Sequence, residues 1–487
     1  MKNRLNKLWK LVVSNKLLVF VGLIFLLVIV PLLLNNIYNH PTADDYTNYN
    51  SVADNISQQG FFPLNFINAS INRVVTVYMG WQGNFFSIFL STFHPFFVSF
   101  NAYNIYMLAI QVIFIASVMF FFWSLSKIKN LFSLKQTMVM GMTFVILAVS
   151  FMFSIQQGFY WYSGVMLYLL PFSVSMIFLG LLIKYILNGG RILYGSLLFL
   201  AACLAGTNYT TGLFIVFLML ALSIYFFKKK NNIYRKLILI FVIFSALFAF
   251  NVFAPGNFLR ISNFTSHVSI FKALLMTIPA SFDVFYYAVC HTFTIPVLIL
   301  FTPAIAKIAH KCKFSFDSPL IITLYTSLVY LVFFAPCAYS YGTLYQEPRV
   351  QNIQLLYLFL FIGLIYFYFI GNIVKNKNSQ ILKSSIFKEL CYIFGIFLLI
   401  INISVIGING INSKRVSDEI IYGKSSAFNV CMQENEKKLM DKTSDTAIIN
   451  NCPPTSGLHY WPLVDGDWVT EDMSIYFKKK VIVKDNW

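Results

Sequence analysis

LLVFVGLIFLLVIVPLLL, residues 17–34, is an uninterrupted apolar run close to the length that crosses a bilayer as a helix, about 20 residues. Residues 1–16 before it are basic, and no small-residue cleavage pattern follows it. The run therefore reads as a retained anchor with its N-terminus in the cytoplasm. Immediately beyond it lies the polar stretch NHPTADDYTNYN, residues 39–50, with the adjacent carboxylates Asp44 and Asp45. The rest of the chain repeats the alternation of apolar run and polar turn. Of its 487 residues 58% are hydrophobic and 11% charged, with 53 Phe and 28 Tyr, and the mean hydropathy is +0.71. That composition far exceeds what a soluble core needs, and the class expected is an all-α polytopic membrane protein. The net charge of +18 sits in short basic clusters between apolar runs. There it sets topology against an anionic leaflet, and nucleic acid is not an expected partner. Seven cysteines are scattered without a CxxC pair or a zinc-like His spacing. Only Cys431 and Cys452 share a polar segment, where a disulfide stays open.

Residues 96–123, 137–153, 165–187, 237–253, 288–308, 320–334, 353–373 and 392–406 each read as one further crossing. Residues 192–227 are too long for one crossing and are basic at both ends, at Arg191 and at residues 228–230. Two short helices hinged at Gly206, Thr207 and Asn208 resolve both problems. The count is about 11 transmembrane helices, with Lys127, Lys129, Lys135, Arg191, Lys311, Lys313, Lys375, Lys377 and Lys383 all on the cytoplasmic side. Residues 35–72 form the first extracytoplasmic loop. Residues 74–93, interrupted by Gly80, Gln82, Gly83 and Asn84, suit an interfacial helix, and residues 270–285 an amphipathic piece on the same face. Residues 1–406 make the membrane domain, and residues 407–487 a small extracytoplasmic α/β C-terminal domain. In it, residues 418–440 carry helical spacing with Ile420, Ile421, Phe428, Cys431 and Leu439 as the buried stripe, and residues 446–449 and 481–483 are strand-like. No internal repeat of the transporter kind is visible.

On this topology Asp44, Asp45, Trp81, Gln82, Gln156, Gln157, Trp161, Tyr162, Asn208, Asn257, Arg260, Glu347 and Arg349 share one membrane face. An outward cavity lined by carboxylates, arginines, amides and aromatics is the site to expect. Those residue types match the transfer of a sugar from a polyprenyl-phosphate carrier to a hydroxyl acceptor. The leaving phosphate is a weak base, so a second, acidic carboxyl of the glycosidase kind is not needed. One carboxylate accepts the proton of the attacking hydroxyl, and arginine forks take the departing phosphate. Tryptophan and tyrosine faces at Trp81, Trp161 and Tyr162 stack on sugar rings or line the prenyl groove.

ADDY (residues 43–46), the W-x-G step at Trp81 and Gly83, APGNFLR (residues 254–260), the P-R step at Pro348 and Arg349, and a D-x-x-W tail at Asp465 and Trp468 follow one another along nearly the whole chain. In that order they resemble a bacterial family of the GT-C superfamily of integral membrane glycosyltransferases. The resemblance implies a GT-C-like fold and an inverting transferase in the bacterial cell membrane, multi-pass, with a polyprenyl-phosphate-linked sugar donor and an envelope glycan or lipid acceptor. It puts catalysis on Asp44 and Asp45 and substrate binding on Trp81, Asn257, Arg260 and Arg349, to which the shared outer face adds Gln157, Trp161, Tyr162 and Glu347. The family's arginine after the W-x-G step is Asn84 here, which leaves phosphate binding to Arg260 and Arg349. No dedicated metal ligands are expected, although a carboxylate pair with Glu347 nearby permits a divalent cation.

Each assignment has a structural rival. Thr42 and Asp45 fit the Ser/Thr-x-x-acid capping pattern, so the pair can start a juxtamembrane helix, with Asp44 left free for chemistry. Arg260 and Arg349 can anchor at headgroups, and Trp161 and Tyr162 can belong to an aromatic belt. A polysaccharide polymerase or ligase would share the outward cavity. A lipid-linked saccharide flippase or transporter would instead place polar groups at the bilayer midplane.

Overall fold

Wherever the sequence carries a long apolar run, the computed structural model places a helix, because in hydrocarbon only a helix satisfies its own backbone polar groups. The structure describes residues 16–59, 62–129, 131–263, 268–312, 314–344, 346–376 and 384–484. The basic residues 1–15 and the side chains of Lys313, Lys377 and Lys383 lie outside the described residues.

In chain order the helices are α1 (Lys16–Leu34), α2 (Asp44–Gln59), α3 (Pro63–Gly80), α4 (Phe85–Ser91), α5 (Tyr103–Leu125) and α6 (Leu134–Phe151). A short π-turn, Gln156–Tyr160, leads into α7 (Tyr162–Asn188). Then come α8 (Arg191–Ala205), α9 (Tyr209–Lys228), α10 (Ile233–Val252), α11 (Pro255–Ser262), α12 (Ile270–Cys290) and α13 (Thr294–Lys311). The bundle finishes with α14 (Pro319–Val332), α15 (Ala335–Tyr341), α16 (Pro348–Asn376) and α17 (Ser385–Ile406). Eleven helical segments among the described residues are long and apolar enough to cross a membrane. The expected loop at residues 35–72 is thus mostly helical, and residues 74–93 divide into the end of α3, a turn and α4.

The path of the chain qualifies that count at two helices. Arg260 of α11 hydrogen-bonds Gln82 and Tyr341, and Phe293, just before α13, packs on Phe151 at 4.9 Å. Both flanks of α12 therefore lie at the end of the bundle that holds Asp44, so α12 lies along that end instead of crossing to the other. The 15-residue α8 does run between the two ends, although it falls short of a standard span. Ala205 accepts from Asn251 at one end, and the Tyr194 hydroxyl approaches the Lys236 carbonyl at the other. Asn208 caps α9 by accepting from the Thr211 N–H and donates to the Leu167 carbonyl, so it satisfies the backbone at the hinge between the two short helices.

Lipid tails are as apolar as leucine, so packing and polar contacts rather than water exclusion hold such helices together. Phe144, Phe172, Phe214 and Tyr357 form a buried aromatic stack across α6, α7, α9 and α16. The Tyr357 hydroxyl joins Ser175 (2.9 Å) and Thr211 (3.3 Å), bonds that in a membrane contribute about 0.6 kcal/mol each. Lysines gather at the end away from Asp44. Lys127 and Lys184 lie over Trp123, and Lys375 donates to the Cys312 carbonyl.

After α17 the chain forms α18 (Asn412–Ile421), α19 (Lys424–Met440), β1 (Thr446–Asn450), α20 (Trp468–Phe477) and β2 (Lys480–Lys484). The two strands pair in parallel from Thr446 opposite Lys480 to Asn450 opposite Lys484. Cys431 and Cys452 form a disulfide that ties α19 to the chain just past β1. The expected stripe over residues 418–440 is corrected at Ile421, which is 74% exposed. The helix breaks at Gly423, whose φ of 74° glycine adopts readily, and a new stripe starts in α19 at Ser425, Phe428, Met432, Asn435 and Leu439. This C-terminal segment shares one continuous core with the bundle instead of building its own. Ser425 donates to Asn35, and His40 bridges Glu436 (2.5 Å) and Asn429 (2.9 Å).

Candidate functional site

The carboxylate pair starts α2 in an unusual way. Ala43, buried and one residue ahead of the pair, has φ 51°, a left-handed conformation that costs a non-glycine residue about 1–2 kcal/mol. That turn sends the two aspartates in different directions. Asp45 is fully buried and accepts four hydrogen bonds: from the Ser163 hydroxyl (2.6 Å), the Ser163 N–H (3.1 Å), the Tyr103 hydroxyl (2.8 Å) and the Thr42 N–H (3.2 Å). The Thr42 bond is one half of the capping box. The other half is absent, because the Thr42 hydroxyl accepts from the Trp461 N–H instead. Burial pushes the Asp45 carboxyl up to about 6, against the pull of the Ser163 and Tyr103 hydrogen bonds. Asp45 thus fastens α2 to α5 and α7 and has no oxygen left for a substrate.

Asp44 is half-buried, and no hydrogen bond reaches its carboxylate among the described residues. Burial raises its pKa. Arg349 at the start of α16 exerts the strongest opposing pull, Asp472 of α20 adds repulsion, and Arg73 of α3 adds a weaker attraction. Arg349 lies 5.2 Å from the centre of the Trp161 ring and acts electrostatically on Tyr168. His459 packs on Trp161 with ring centres 4.8 Å apart and planes tilted by 41°. Burial, aided by the positive charge of Arg349, holds the His459 imidazole down at about 3, so it is neutral. Five buried polar atoms near this site have no partner among the described residues: Gln157 Oε1, Trp161 Nε1, His459 Nε2, Arg73 Nε and Arg260 Nε. A buried polar atom left unpaired costs about 1–3 kcal/mol, so each of these five is a donor or acceptor open to a ligand or an ordered water.

Arg260 belongs to the same neighbourhood, since Tyr168, Tyr341 and Cys337 each feel both Arg260 and Arg349. Its guanidinium donates to Gln82 (3.2 Å) and Tyr341 and lies over the Trp81 and Tyr341 rings at 5.0 and 5.4 Å. Among the described residues neither Arg260 nor Arg349 is within ion-pair reach of a carboxylate. Two of the sequence motifs prove to be halves of one joint. A Cβ on Gly83 would meet the Asn251 carbonyl oxygen at 1.9 Å, and one on Gly256 would meet the Trp81 nitrogen at 2.4 Å. Only glycines let the W-x-G turn and the start of α11 approach this closely. Asn257 locks the joint, accepting from the Gly83 N–H (3.1 Å) and the Tyr209 hydroxyl (2.7 Å) and donating to Asn251 and Val252 carbonyls.

Of the expected site residues, the structure brings Asp44, Arg349, Arg260, Trp161, Gln157 and Trp81 to one end, with Glu347 in the field of Arg349. It separates three others from them. Asp45 is a structural anchor, Asn257 is occupied as a clasp, and Tyr162 is fully buried behind the site with its hydroxyl on the Phe93 carbonyl. Arg73, Tyr168, Tyr341, His459 and Asp472 are additions that the sequence reading missed. Arg73 did carry a signal, as the one basic residue between Lys16 and Lys127. Among the described residues no three His, Cys, Asp or Glu side chains gather as a metal group. No protein-family model, no curated protein and no solved structure matches this chain.

Proposed function

We propose that the protein is a GT-C-like membrane glycosyltransferase that moves a sugar from a polyprenyl-phosphate carrier to an envelope glycan or lipid. The observation that carries this reading is the juxtaposition of Asp44, whose carboxylate accepts no hydrogen bond among the described residues, with Arg349, which has no carboxylate within ion-pair reach among them; Arg260 shares the neighbours Tyr168, Tyr341 and Cys337 with Arg349. Asp44 takes the proton of the acceptor hydroxyl as its oxygen attacks the anomeric carbon. The bond from that carbon to the phosphate oxygen breaks, and the configuration inverts. The phosphate leaves with its charge taken up by Arg349 and Arg260, whose planar forks suit its oxygens. Burial, by raising Asp44 above an ordinary aspartate, makes it a better base near neutral pH.

The lysine-rich end is cytoplasmic on the positive-inside rule, which puts the site outside. The Cys431–Cys452 disulfide accords with that oxidising side. The donor arrives from the lipid, and α3 offers it an exposed apolar flank at Ile67, Ile71, Val75 and Met79 leading to Trp81.

The test is transfer from a radiolabelled polyprenyl-phosphate sugar in membranes carrying the wild-type chain, Asp44→Asn or Arg349→Gln. Loss of transfer by at least 100-fold in both variants, with normal expression, is the expected result. Full transfer by Asp44→Asn sinks the assignment of the base.

A further inference from the structure

The geometry points to Trp461 and Trp468 as a stacking platform for the pyranose rings of the acceptor glycan at the mouth of the Asp44 site. Tryptophan is costly to leave in water, yet these two are 40% and 43% exposed. Their rings are 5.9 Å apart at 63°. Val464, 61% exposed, extends the same apolar patch.

Three contacts connect this surface to the site. The Trp461 N–H donates to the hydroxyl of Thr42 (3.1 Å), two residues before Asp44. His459, two residues before Trp461, packs at a tilt against Trp161. Asp472, one turn after Trp468 on α20, accepts from the Thr47 hydroxyl and lies in the electrostatic field of Asp44.

The chemistry of the patch selects a sugar. An indole face packs against the C–H face of a pyranose, while the hydroxyls at the ring edge need acceptors. Carboxylates supply them, because Asp465 and Glu471 are exposed beside the tryptophans. The same carboxylates disfavour the rival occupant, an anionic bilayer surface, which attracts lysine and arginine and repels acids.

This inference rests on the transferase reading, and its test separates the two. The full chain is reconstituted in lipid nanodiscs and titrated with maltotetraose, cellotetraose and chitotetraose, followed by saturation-transfer NMR. Stacking reads the ring face rather than one hydroxyl pattern, so saturation of ring C–H protons is expected with at least one tetrasaccharide. Trp461→Ala and Trp468→Ala each weaken binding at least tenfold, and Trp468→Phe keeps part of it. Asp44→Asn abolishes transfer. No binding by any tetrasaccharide, or equal binding by wild type and both alanine variants, overturns the platform. So does quenching of both indoles by brominated lipids, which would seat them in the bilayer. If membranes carrying the wild-type chain show no transfer, the transferase reading fails, and the tetrasaccharide titration still decides the platform.

Discussion

Lowering the pH from 7.5 to 5 is expected to stabilise this protein through Asp45. In the folded chain its carboxyl titrates at about 6 against an ordinary value of 3.8, so the folded state binds the proton more tightly than the unfolded state. The stability this contributes is full below 3.8 and is lost as the pH rises through about 6. Between pH 7.5 and pH 5 the gain works out at about 1.4 kcal/mol, one tenfold step in the folding equilibrium. Asp45→Asn cannot titrate and is the control. Its amide oxygen can still face Ser163, while its NH2 group confronts the Thr42 N–H, so the variant starts from a different stability but lacks this pH response. Asp44 also titrates above its ordinary range, and it does so in both proteins, so the difference between them isolates Asp45. The assay is denaturant unfolding in detergent micelles, followed by tryptophan fluorescence at pH 7.5, 6.5, 5.5 and 5. Tyr103→Phe and Ser163→Ala sharpen it, since each removes a hydrogen bond that favours the ionised form, and each therefore moves the transition to higher pH. Parallel pH responses in wild type and Asp45→Asn would refute the assignment of Asp45 as the buried, titrating anchor.

Other outcomes follow from single contacts. Gly83→Ala forces a methyl into the Asn251 carbonyl and is expected to cost about 3 kcal/mol or more, read as a lowered thermal midpoint in detergent together with reduced transfer. Reducing Cys431–Cys452, or replacing both cysteines by serine, should cost about 3 kcal/mol on chain entropy for a separation of 21 residues, measured by unfolding with and without reductant. His459→Gln should leave the pH dependence of transfer unchanged, because the imidazole is neutral throughout the working range, whereas Arg349→Gln should shift the acidic limb to higher pH by removing the charge that opposes protonation of Asp44. A pH–rate profile of each variant checks both statements.

How much of this was legible in the sequence depends on the distance over which the information acts. Spans are local, and a run of apolar residues bounded by lysines predicts a helix and its two ends without reference to the rest of the chain. The short α8 and the non-crossing α12 were distinguishable because Arg191 and residues 228–230 bracket one segment while no such basic pair brackets the other. The capping role of Asp45 was half legible, since Thr42 lies three residues away. Its stronger partners, Tyr103 and Ser163, lie 58 and 118 residues away and have no sequence signature. Tyr162 was misjudged for a similar reason. An aromatic at the mouth of a span has the same pattern whether it faces the cavity or, as here, the packing behind it. The W-x-G and APGN motifs were visible as strings, but their contact with each other was not. Only the fold reveals that their glycines serve a close approach of two backbone segments.

The position of His459 and Asp472 has a consequence for how the protein is made. Both lie more than 400 residues after Asp44 and so leave the ribosome well after it. Asp44 must therefore wait, next to an already inserted anchor, until every later helix has been threaded and the C-terminal segment has docked on residues 35–50. A chain cut short at α17 would retain Asp44, Arg260 and Arg349 but lack the cover of His459 and the repulsion of Asp472. The site is thus completed last, and a half-built copy has neither its full shape nor its full charge.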